Sequence, residues 1–107
     1  MEPLLVLTNL PDVASAEKLA HALIDSRAAA CVNILGGCRS IYRWQGAMEA
    51  ADEIPLLIKT TAASYPLLEE IVRTKHPYEI PELIAIPIKF GLTDYLGWLA
   101  TETEEHD

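Results

Sequence analysis

The stretch ACVNILGGCRSIYRWQG, residues 30–46, decides how the chain folds. It reads as one long strand interrupted at Gly36-Gly37, where a bulge or bend is expected. The segment DEIPLLIKTT, residues 52–61, reads as its partner strand, with the polar and small residues from Gly46 to Ala51 forming the turn of a hairpin. Residues 30–46, at about 3.3 Å each, reach roughly 55 Å if straight, whereas a compact domain of this size is about 35 Å across. The hairpin must therefore bend or overhang. An overhanging arm carrying Ile41, Tyr42, Trp44, Ile54 and Leu56 exposes strand edges and aromatic surface, a combination that monomers avoid. Pairing with identical chains in a closed, symmetric assembly would cover both.

Outward from the hairpin, LLVLTNL (4–10) is apolar on both faces and reads as a central strand ending at Pro11. A helix follows, capped by Asp12 or Ser15, with Ala16, Leu19, Ala20, Leu23 and Ile24 on one apolar stripe and His21 off it, facing solvent. A second helix spans 64–75, capped by Ser64, with Pro66 in its first turn and Leu67, Leu68, Ile71 and Val72 turned inward. ELIAIPIKF (82–90) alternates Ile84, Ile86, Ile88 and Phe90 with Leu83, Ala85 and Pro87. Pro87 has no N–H to give to a ladder, which places this strand at an edge or on a bulge. Gly91 ends it, and Thr93 caps a last helix, TDYLGWLATET, before an acidic tail. The order β, α, β, β, α, β and a terminal helix matches a ferredoxin-like α+β plan, an antiparallel sheet with helices on one face, in a single domain over 1–107.

Composition narrows the function. Half of the 107 residues are apolar, ample for one core, and 16 acidic against 8 basic residues give a net charge of −8. That balance argues against nucleic acid and against an anionic membrane surface as partners. No apolar run approaches the roughly 20 residues of a membrane span, and MEPLLVL lacks a basic leader, so the expected location is cytoplasmic. Cys31 and Cys38, on one extended strand, stand roughly 23 Å apart, far beyond the ~7 Å that a disulfide tolerates.

Candidate functional residues gather in HPYEIPE (76–82), where Pro77 and Pro81 stiffen the backbone after the second helix. The stretch is a joint, or a joint that also holds His76, Tyr78, Glu79 and Glu82 for binding. A metal site would use His76 as its strong donor, supplemented through folding by Glu79, Glu82 or Cys31; imidazole with carboxylate suits copper, zinc or nickel. A second candidate is a pocket of Tyr42, Trp44, Lys59, Tyr78 and Glu79 for a small anionic or planar ligand, unless the aromatics serve to pack a subunit interface. No nucleophile elbow, Walker loop or dinucleotide fingerprint occurs. Catalysis by Cys31 with His76 needs the two to meet at an exposed thiol, and the expectation is a protein that is not an enzyme.

The segments LPDVASAEKLA, AACVNI, SIYRWQG, the IKT of Ile58 to Thr60, HPYEIPEL and TDYLGWL together resemble the CutA family of divalent-cation tolerance proteins along nearly the whole chain. The resemblance implies a ferredoxin-like subunit, a tight homotrimer related in architecture to the PII signalling proteins, and a link to copper tolerance and copper binding. It also implies a copper set of one cysteine at the end of the first strand and two histidines before Pro-Tyr; the matching positions here are Thr8, Lys75 and His76. Only His76 matches, so weak binding of Cu(II) or another divalent metal is expected. The alternative is a PII-like sensor or interaction module that takes a small molecule or protein in the cleft between subunits.

Overall fold

Both faces of the first strand, β1 (Pro3–Leu10), are apolar, and the computed structural model accordingly places it inside the sheet. The structure describes residues 1–104, so the end of the acidic tail, 105–107, lies outside the described residues. Beyond β1 come α1 (Val13–Asp25), β2 (Cys31–Ile34), β3 (Cys38–Trp44), β4 (Ala47–Thr61), α2 (Tyr65–Lys75), β5 (Ile84–Pro87) and α3 (Thr93–Glu102). All pairings are antiparallel, in the order β2-β4-β1-β5, with β3 also on β4. This is the ferredoxin-like arrangement, with β2 and β3 as two parts of one strand.

The break between those parts is a one-residue bulge. Ile34 faces Leu56 and Cys38 faces Glu53, so four steps on one strand oppose three on the other, around Gly36-Gly37. The turn differs from expectation. It is the two-residue Gln45-Gly46, both at positive φ (50° and 81°), and Trp44 pairs directly with Ala47. A tight turn of this hand matches strand twist, so β4 runs on through the residues expected to form a loop and reaches 15 residues. The molecule is correspondingly elongated, 45 × 29 × 23 Å.

Leu4, Val6, Thr8 and Leu10 of β1 pair with Thr60, Ile58, Leu56 and Ile54 of β4, and this face is covered by α1 and α2. Ala16, Leu19, Leu23, Leu68 and Val72 bury fully or nearly so against it. Asp12 caps α1 by accepting the Ser15 N–H at 2.7 Å. Three expectations about the helices do not hold. Ile24, in the last turn of α1, and Leu67, in the first turn of α2, are exposed. Ser64 turns its hydroxyl from its own helix to the Thr103 carbonyl, 3.1 Å away. At the start of α3, Leu92 rather than Thr93 holds the cap position, without a side-chain bond.

The other face of the sheet carries Leu5, Leu7, Leu57, Ile84 and Ile86, brought together by register. Ile84 and Ile86 are about half exposed there. Helix α3 lies toward this face, with Tyr95 against Cys31, so the helices are not all on one side as expected. β5 is a short edge strand, as Pro87 requires, extended by the Ile88 N–H donating to the Pro3 carbonyl. Both cysteines are free and half-buried.

Candidate functional site

Helix α2 stops at Lys75 because Pro77 forces His76 into extended backbone (φ −74°, ψ 136°), while the His76 N–H still closes the helix on Val72. The imidazole then turns inward and is buried. Its Nε2 lies 2.7 Å from the Asn9 carbonyl and its Nδ1 accepts the Tyr78 N–H at 3.1 Å. These partners assign the neutral tautomer protonated at Nε2. Burial pushes the His76 pKa below the ordinary 6.5, outweighing the Asn9 bond and the Glu53 charge, which raise it.

Tyr78 packs its ring 4.8 Å from the imidazole and donates its hydroxyl to Glu53 Oε2 at 2.9 Å. Burial first, then the Glu53 carboxylate, pushes the Tyr78 phenol up to about 12. Asn9 braces the far end of the elbow as well, its Nδ2 donating to Glu82 Oε1 at 3.2 Å. The proline-braced segment is thus clamped at both ends to the last turn of β1 and at its middle to β4.

Between this elbow and the hairpin arm lies a cleft of about 720 Å³. The arm contributes Ser40, Ile41, Tyr42, Trp44, Glu49 and Glu53. The elbow side contributes Pro77, Tyr78, Glu79, Ile80 and Glu82, with Asn9 at the floor. Of the residues singled out in the sequence, Tyr42, Trp44, Tyr78, Glu79 and Glu82 come together here. Lys59 and Cys31 do not: they face each other on the body of the sheet, where Lys59 donates to Asn33 Oδ1. The Cys31 thiol meets the Tyr95 hydroxyl, and burial, with Cys31 second, raises the Tyr95 pKa. His76 stands behind the wall of the cleft rather than in it.

The sequence reading passed over Glu53 and Asn9, which organise the site. Strand parity held the signal for Glu53: on β4 it shares a face with Glu49, which pairs with Tyr42.

The copper set is not assembled. Thr8 points into the core opposite Leu56, its buried Oγ1 without a hydrogen-bond partner among the described residues, and Lys75 is exposed. Both His76 nitrogens already have partners. Among the described residues no three His, Cys, Asp or Glu side chains are grouped so as to hold a metal ion. The residues present do not fit a resident metal within one chain.

An antiparallel ferredoxin-like sheet, a bulged hairpin arm and a proline elbow beside a side cleft define a small α+β protein of ferredoxin-like plan. The profile of the CutA1 divalent ion tolerance protein family matches residues 4–102. A divalent-cation tolerance protein CutA from Thermus thermophilus is 47% identical over 98 residues, 92% of this chain and 95% of that protein. A solved structure of the divalent cation tolerance protein from Thermus thermophilus superposes with a TM-score of 0.93 at 45% identity, over 95% of this chain and 99% of the other. CutA1 from Oryza sativa gives 0.94 at 38% identity, over 99% and 97%. The chain belongs to the CutA1 divalent ion tolerance family.

Proposed function

We propose that this chain is a non-catalytic, cytoplasmic divalent-cation tolerance protein that works as a homotrimer through binding or regulation. The observation that carries the reading is the match over nearly the full chain to proteins named for divalent-cation tolerance. Binding rather than catalysis is supported by the cleft: neither thiol lines it, and the one histidine nearby has both nitrogens engaged. Assembly is supported by the uncovered apolar strands and by an arm whose Ile41 and Met48 are about three-quarters exposed. The free thiols accord with a reducing compartment. Copper(II) or another divalent ion is cargo met weakly, on surface carboxylates or between subunits.

The test is growth. A strain lacking this protein is expected to be inhibited by copper at levels the parent tolerates, and both wild type and His76→Gln should restore growth. Failure of wild type to restore it would overturn the reading; failure of His76→Gln alone would restore a metal role to that side chain.

A second reading, a PII-like sensor or interaction module, is favoured by the cleft itself, whose volume is that of a small-molecule site. Its occupant would be a small molecule or a protein segment.

A further inference from the structure

The cleft has a chemical character that divalent-ion tolerance does not account for. Four carboxylates line it, those of Glu49, Glu53, Glu79 and Glu82, and among the described residues no lysine or arginine does. Of the two arginines on the arm, Arg39 is engaged with Asp52, and Arg43 alternates to the face away from Tyr42 and Trp44. Glu53 is the decisive group. It is 8% exposed, yet among the described residues it has no ion-pair partner, and its one hydrogen bond comes to Oε2 from Tyr78. A carboxylate withdrawn from water that far is ordinarily paired with a cation. Tyr42 and Trp44 stand on the same face of the two-stranded arm as Glu49 and Glu53, and Glu79 and Glu82 line the cleft from the elbow.

The geometry points to a small organic ammonium ion with an apolar or aromatic body as the occupant of this cleft. Its head sits on Glu53 and its body reaches toward Tyr42, the nearer of the two aromatics along the arm. Three comparisons select this class. A divalent metal needs several converging oxygens, and the carboxylates here are not grouped to supply them. A guanidinium pairs best through both oxygens of a carboxylate, and the Tyr78 hydroxyl already uses one acceptor position of Oε2, whereas an ammonium is satisfied at Oε1, the oxygen with no bond from Tyr78. An anion would meet the four carboxylates and a chain of net charge −8. Aromatic faces add cation–π attraction to the ammonium and apolar contact to its body. The inference rests on the second reading above, that the cleft is a ligand site, and is independent of copper tolerance.

The experiment is titration calorimetry on the full chain in its native assembly. The ligands are phenethylammonium, its neutral analogue 2-phenylethanol and its anionic analogue 3-phenylpropionate. Phenethylammonium is expected to bind roughly tenfold or more tighter than the alcohol, with no saturable binding of the acid. Glu53→Gln, close in shape and without the charge, is expected to abolish the preference and leave the alcohol unchanged. Tyr42→Leu lies on the arm, outside the α1 and α2 core, and, with its assembly shown by light scattering to match wild type, is expected to weaken both ligands several-fold. Amide shifts at Tyr42, Trp44 and Tyr78 on adding phenethylammonium would place it in the cleft. Equal affinity for ammonium and alcohol in wild type would overturn the cation assignment while leaving the cleft a ligand site. Absence of saturable binding by all three would overturn both.

Discussion

The Tyr78 hydroxyl donates to Glu53 Oε2 across 2.9 Å, and this bond ties the elbow after α2 to the long strand β4. Tyr78→Phe removes the one hydrogen bond that a nearly buried carboxylate has among the described residues, which costs about 1–3 kcal/mol of stability. Urea unfolding at neutral pH measures it, and an unchanged midpoint would remove the bond from the account.

The same contact has a signature at high pH. Because the folded-state pKa of Tyr78 is raised from 10 to about 12, its contribution to stability is complete below pH 10 and is lost as pH climbs through about 12. Tyr65 and Tyr95 are raised as well, so the Tyr78 step in tyrosinate absorbance is taken as the difference from Tyr78→Phe, and Glu53→Gln should bring it down only part of the way, since burial is the larger cause. A step unmoved by Glu53→Gln contradicts the pairing.

His76 predicts the opposite pH dependence. Burial lowers its folded-state pKa beneath 6.5, so its contribution is complete above pH 6.5 and is lost as pH falls through the folded value. Protonation at Nδ1 also displaces the Tyr78 N–H, which that nitrogen accepts in the neutral form. Thermal unfolding of wild type should therefore weaken just below pH 6.5, before most carboxylates titrate, and His76→Gln should flatten that limb. At pH 7.5 the variant loses the Nδ1 acceptor, a cost of about 1 kcal/mol. Parallel profiles for both proteins would mean that the imidazole is not titrating in this way.

Ile84 and Ile86, opposite Leu7 and Leu5 on the uncovered face, set the expectation for assembly. Light scattering should give about 35 kDa, three times the 11.8 kDa chain. Ile86→Glu, at a half-exposed position that leaves the core of α1 and α2 untouched, should shift the mass toward one chain. A wild-type mass near 12 kDa rules out the homotrimer.

Much of this was legible in the residues. Gly36-Gly37 announced the break between β2 and β3, Pro87 the edge strand, and Pro77 the end of α2. The turn was not, because Gln45-Gly46 lacks the Asn-Gly or Asp-Gly signature and the small residues beyond it looked like loop. Pairing partners were the harder limit. Tyr42, Trp44 and Lys59 all point to one side of the hairpin, but Lys59 lies ten residues along β4 from Glu49, the partner of Tyr42, roughly 33 Å away. It cannot line the same cleft. Glu53 looked like one more charge in an acidic segment; the one-residue bulge sets it opposite Cys38, and the elbow after α2 brings the Tyr78 hydroxyl to it.

The central claim is that His76 braces the elbow and is not a copper ligand, so that tolerance operates without a tight metal site inside one chain. Calorimetry with Cu(II) on wild type and His76→Gln tests it most directly, since glutamine can still donate to the Asn9 carbonyl. The account predicts weak binding of equal affinity in both proteins. A tight site of one copper per chain in wild type that vanishes in His76→Gln would contradict it.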